Sequence, residues 1–254
     1  MTVKLKAMTH QKKCFLAILI FSCAVCTTAK AQVYSIESFD GGNAKIKLNY
    51  TLFSKTLKVS CLNDTLFLSD YMGTMEVHVL NKRFLQVTYE TRGGTGSEVR
   101  STLILSVNKH KTTVSMLVTS YASWFSPDPE NTNSIDKKGL YTLKFNMTGS
   151  ERNSYKLAIT IHDQLSSKLH PRTNYNKNRQ VTLSFDPNQN IFYTTHKNIT
   201  QSFTVNDPKT QGSNKQQISG TLPVIALGKN NYYYIKGEWY GSGYSDNLFK
   251  AYYK

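Results

Sequence analysis

The chain has 254 residues and carries 31 Lys and Arg against 16 Asp and Glu, a formal net charge of +15. Hydrophobic residues at 39% and aromatics at 12% exclude a disordered polymer, and 14 Gly with 6 Pro exclude collagen-like or low-complexity sequence. The length fits one large or two small globular domains of roughly 100–200 residues each.

The first thirty-one residues read as an export signal. Lys4, Lys6, Lys12 and Lys13 form a positive leader without an acid, Phe15 to Cys26 is an apolar run, and Ala29-Lys30-Ala31 supplies a small-x-small cleavage pattern. A helix over that run would span about 18 Å, too short for roughly 30 Å of hydrocarbon. Cleavage is therefore expected before Gln32, and no transmembrane helix is expected in the mature chain. A lesser alternative is lipid anchoring at Cys23, since Ile20-Phe21-Ser22-Cys23 loosely follows a lipoprotein box. The mature chain keeps 26 Lys and Arg against 16 acids, a net charge of +10. It also keeps one cysteine, Cys61, so no internal disulfide is expected. Leu57, Val59 and Cys61 alternate with polar residues, which predicts a buried thiol on the inner face of a strand.

After Gln32 the dominant hydrophobic period is two. Strands are predicted at Ala44–Tyr50, Phe84–Thr91, Val99–Val107, Thr112–Ser120, Leu140–Met147, Tyr155–His162, Val181–Phe185, Ile191–His196 and Ser202–Val205. At most one helical turn is expected, over Leu165–Leu169. Gly- and Asn-rich breaks at 92–97, 108–110, 148–153 and 186–190 read as hairpin turns. Short connections favour antiparallel neighbours, because parallel pairing needs a long crossover. The expected fold is an all-β antiparallel meander or sandwich of roughly 12–14 strands of ordinary length. A polar stretch at 126–139 with two Pro reads as a linker or long loop. It would divide an N-terminal β-lobe at 32–125 from a C-terminal one at 140–254, the two packed together.

No motif announces catalysis. The glycine loop at 92–97 lies between strands, not before a helix, so a phosphate cradle is disfavoured. Asp128, Glu130, Asn131, Asn133 and Asp136 miss the spacing of a calcium loop, and the histidines form no zinc pattern. His162 and Asp163 are adjacent and so point to opposite faces of a strand. The balance is against an enzyme, and no cofactor or metal is expected. From Gln164 to Gln180 there is no acid, yet Lys168, Arg172, Lys177 and Arg179 stand there with Tyr175, a pattern that suits an anionic polymer. Near the C-terminus, a single strand over 231–240 would put Tyr233, Ile235, Gly237 and Trp239 on the core side. Tyr232, Tyr234 and Tyr240 would then form a wet aromatic face for sugar rings. Trp124-Phe125 is a second aromatic candidate.

These residues lead to a secreted or periplasmic, non-catalytic β-rich protein that binds an anionic polymer or a carbohydrate. A structural or assembly component of the cell envelope, with protein partners there, is the alternative. An outer-membrane β-barrel and a hydrolase are more distant ones.

Overall fold

A ribbon whose side chains alternate sides must bury its apolar face against another layer. From Gln32 onward the chain does this repeatedly. The computed structural model describes residues 31–51, 55–61, 64–68, 71–91, 93, 94, 96–109, 111–132, 134–151, 154–207, 212–242 and 251–253. The leader, and with it the Cys23 alternative, lies outside these residues. Among them are seventeen strands, one short 3-10 turn and no α-helix.

Strands β1 (Gln32–Glu37), β2 (Asn43–Thr51), β3 (Thr56–Cys61) and β4 (Asp64–Leu68) form one antiparallel meander. Eight more form a second: β5 (Tyr71–Leu80), β6 (Phe84–Thr91), β7 (Ser97–Asn108), β8 (Lys111–Pro127), β9 (Ile135–Thr148), β10 (Lys156–Ser167), β11 (Tyr175–Asp186) and β12 (Ile191–Tyr193). A third holds β13 (Thr195–Asp207), β14 (Gly212–Leu227), β15 (Asn230–Ile235) and β16 (Glu238–Ser242), and β17 (Ala251–Tyr253) returns to pair with β4. The expected all-β antiparallel architecture is present, with its sheets packed on one another. The polar stretch at 126–139 is shared between strand ends and a turn. Ser126 and Pro127 close β8, Ile135 opens β9, and the two strands pair directly from Tyr121–Thr142 to Pro127–Ile135.

Two local expectations need correction. Leu165–Ser167 continue β10 instead of forming a helical turn. The 3-10 turn lies at Pro171–Thr173, where Pro171 tolerates a helix start because its missing N–H would be unbonded there. The stretch 231–240 is a hairpin and not one strand. Lys236 and Gly237 both have positive φ, 48° and 90°, the signature of a two-residue turn that reverses the chain. The reversal shifts the facing pattern: Tyr234 pairs with Trp239, and Tyr233 with Tyr240.

The centre of the molecule is the β7–β8 hairpin. Ser101–Val107 and Val114–Ser120 are buried residue after residue, as a ribbon covered on both faces must be. β9 pairs with only the second half of β8, so the first half has a backbone edge to satisfy. Side chains from other sheets do this. The Trp239 indole N–H donates to the Val114 carbonyl at 2.9 Å, the Thr119 N–H donates to the Tyr232 hydroxyl at 3.1 Å, and the Thr112 N–H donates to Asp64 at 2.8 Å. A second locking point is a cluster of rings. Phe84 has Phe39, Tyr155, Phe185 and Phe192 around it with centroids at 5.6, 5.0, 5.3 and 5.3 Å, mostly edge to face.

Candidate functional site

Pleated strands put every second residue on the same face, and antiparallel register lines such residues up across neighbours. Across β7, β8, β9 and β10 this makes one row of Glu98, Ser123, Leu140 and Gln164. The next row on that face is Phe125, Lys138 and Ser166. These seven residues line a cleft of about 680 Å³, with Gly96 and Ser97 at one end and Ile135 beside them. The Phe125 ring is half exposed, at 50%, and rests on Gly96, whose φ of +76° and missing side chain let the loop pass beneath it. On the opposite face Trp124, Gly139 and Leu165 share a row, and the Trp124 indole lies directly on Gly139, where a Cβ would overlap it. The two adjacent aromatics therefore stand on opposite faces of the strand: Trp124 braces the strand pair and, with Gly139, still borders the cleft, and Phe125 is the more exposed of the two.

The cleft has a cationic end. Glu98 is already held by Arg100 at 2.7 Å. Lys138 is exposed, and Ser166 leads within two residues to exposed Lys168. Asp136, two residues before Lys138, is buried and occupied. One of its oxygens accepts from the Ser167 hydroxyl at 2.8 Å and from the Lys168 and Leu169 N–H groups at 3.0 and 2.9 Å. The Leu169 N–H is the chief reason the carboxyl is held below its ordinary range, aided by Ser167 and Lys168. The Ser167 N–H donates to Asn174 at 2.6 Å and the His170 N–H to the Ser167 hydroxyl at 2.9 Å. Asp136 thus fixes the loop that carries Lys168, His170 and Arg172.

This anchoring has a pH consequence. A depressed carboxyl favours the folded loop above the ordinary carboxylate pKa near 4, and the benefit fades as pH falls through the lower folded value. Hydrogen exchange at the Lys168 and Leu169 amides, corrected for its intrinsic pH dependence, should show constant protection from neutral pH to about 4 and a loss below it. In Asp136→Asn the protection should already be low at neutral pH.

The four basic residues expected from the sequence do not form one patch. Lys168 and Arg172 are exposed on the loop, and Lys177 is exposed on β11 with its ammonium 5.3 Å from the Tyr175 ring centroid. Arg179 has a structural role. It lies 3.9 Å from Asp163, which is only 4% exposed, and its guanidinium covers Gly228 on the β14–β15 turn. The Tyr175 hydroxyl donates to the same Asp163 at 3.1 Å. His162 lies on the opposite face, hydrogen-bonded to Asn178 at 2.9 Å. Lys229, on the β14–β15 turn, adds a cation 5.8 Å from the Tyr175 ring that sequence proximity could not reveal.

The C-terminal tyrosines are placed differently from the expectation. Tyr232 is 4% exposed and Tyr240 5%, while Tyr234 is partly buried against Trp239 at 5.1 Å. Burial pushes the Tyr232 and Tyr234 phenols above their ordinary pKa. Tyr232 and Trp239 belong to the main core, and Tyr233 and Tyr240 to a small cluster with Val224 and Ile235. The face expected to be wet is closed, because the Lys236-Gly237 turn brings Trp239 to the same side as Tyr232 and Tyr234. Cys61 is buried as its alternating strand predicts, and burial raises its thiol pKa, which suits a packing role.

Asp128 in the acidic loop accepts from the Glu130 and Asn131 N–H groups and from Ser134, the pattern of a turn. Asn133 lies outside the described residues. Among the described residues no group of three His, Cys, Asp or Glu comes together to hold a metal ion, and no helix is long and apolar enough to cross a membrane. No family model, curated protein or solved structure matches the chain.

Proposed function

We propose that this is an exported, non-catalytic binding protein whose ligand is an acidic carbohydrate polymer. The observation that carries the reading is continuity: the Phe125 cleft runs directly into the acid-free basic segment, with Ser166 lining the one and Lys168 standing in the other. The apolar face of a sugar ring suits the exposed Phe125 ring. Ser123, Gln164 and Ser166 supply donors and acceptors for its hydroxyls, and Lys138, Lys168 and Arg172 attract its acidic groups. A net charge of +10 in the exported chain speeds encounter with such a polymer through long-range attraction.

Calorimetric titration with a heparin oligosaccharide, at several salt concentrations and with neutral dextran as control, tests this. Lys138, Lys168 and Arg172 are replaced together by Gln; Lys177 and Arg179 are left in place, because both stand with Asp163 on the opposite face of the sheet and Arg179 compensates that buried acid. Heparin should bind and dextran should not. The triple variant should bind at least about tenfold more weakly, and the slope of log K against log salt should flatten by roughly one per lost contact. Phe125→Ala should weaken binding by about tenfold, roughly 1.4 kcal/mol, with the slope unchanged. Unchanged heparin affinity in the triple variant would refute the proposal.

A further inference from the structure

The eight-stranded sheet ends differently on its two sides. At one end β12 is three residues long, and Thr194 beyond it donates to the Val224 carbonyl of β14, so that edge is short and covered. At the other end β5 runs for ten residues, and among the described residues its one strand neighbour is β6. Long free edges are ordinarily blunted by Lys, Pro or strong bends. From Met72 to Leu80 there is neither Lys nor Pro, and the one irregularity, near Gly73, leaves Met75–Leu80 in regular register.

The side chains on this edge are incomplete on both faces. Met75 and Val77 pack against the core on one side only, and Val79 beside them is 45% exposed. On the other face Glu76 and His78 are exposed, and their partners across β6 are the neutral Thr88 and Gln86. Glu76 acts on the Arg100 guanidinium, which Glu98 already engages at 2.7 Å.

We infer that β5 pairs with the β5 of a second copy of this chain, antiparallel about a two-fold axis at Val77. Antiparallel pairing about one residue fixes every other partner. Glu76 faces His78 of the second copy and His78 faces its Glu76, while Met75 faces Val79 and Val77 faces Val77. One register therefore sets opposite charges together on one face and completes the apolar strip on the other. A symmetric dimer demands such self-complementarity. The two sheets become one sheet of sixteen strands, and the two clefts are presented by a single particle.

Sedimentation velocity at pH 6 provides the first test. The wild-type protein should dimerise. His78→Glu puts two like-charged pairs across the axis and should weaken the dimer by about tenfold or more. The double variant Glu76→His, His78→Glu should restore it, because the exchange recreates both opposite pairs. Oxidative crosslinking reads the register independently of stability. Val77→Cys should form a disulfide dimer, since residues on the axis lie within bridging distance. Met75→Cys should not crosslink to itself, but should crosslink to Val79→Cys when the two proteins are mixed. A wild-type protein that stays monomeric up to roughly 1 mM, or a Met75→Cys self-crosslink as efficient as that of Val77→Cys, would overturn the inference.

Discussion

Phe84→Ala should destabilise the protein by about 3–5 kcal/mol, the range for deleting a fully buried phenylalanine. Phe84 has no exposed surface, and four rings surround it within 5.6 Å, so the surroundings cannot collapse into the space without moving several strands at once. Those rings come from the β1–β2 turn, the β9–β10 connection, β11 and β12. The cavity therefore loosens contacts between elements far apart in the chain. In thermal unfolding of a domain of this size the midpoint should fall by about 6–20 °C. Phe84→Leu, which keeps most of the volume, should cost clearly less. Equal losses for Ala and Leu would mean that the ring cluster is not a locking point.

Trp239→Ala should cost about as much, roughly 3–5 kcal/mol, for two separable reasons. Trp239 is 1% exposed within the main core, and its indole N–H satisfies the Val114 carbonyl on the part of β8 that β9 does not cover. Trp239→Phe isolates the second contribution. It keeps an aromatic ring in place and removes the donor, so its cost should be about 1–3 kcal/mol. Amide exchange should rise around Val114–Thr119 in both variants, since Tyr232 on the same hairpin caps Thr119. Denaturant unfolding monitored alongside exchange distinguishes local release of this edge from global loss of stability.

Strand type was legible because the alternation of apolar and polar residues is a local property. Leu57, Val59 and Cys61 point inward as their spacing demands. Strands were harder to read where one face carries cations. The segment 175–180 belongs to β11, but Lys177 and Arg179 share their inner-face positions with Tyr175 and Val181, so the apolar signal is broken. The tyrosine hairpin resembles a single strand in sequence because six of the ten residues at 231–240 are aromatic or β-branched, and one pair decides the turn. Gly237 after Lys236 was the available signal, and positive φ at both positions is its meaning.

The cleft was less legible than the fold. Phe125 could be marked as a candidate aromatic, but its neighbours Leu140, Gln164 and Ser166 arrive through the register of three strand pairs, which no local pattern encodes. Asp136 illustrates the same limit in reverse. In the sequence it sits among acids of a polar loop, whereas in the fold it accepts hydrogen bonds from residues more than thirty positions away. Lys229 reaches Tyr175 only because the β14–β15 turn meets β11.

Amide chemical-shift mapping with a heparin oligosaccharide tests the central claim most directly. Stepwise addition should move a contiguous set of resonances at Ser123, Phe125, Lys138, Leu140, Gln164 and Lys168, saturating with one affinity that falls as salt rises. Shifts scattered over Lys45, Lys47 and Lys58, which lie on β2 and β3, with the cleft amides unmoved, would contradict it.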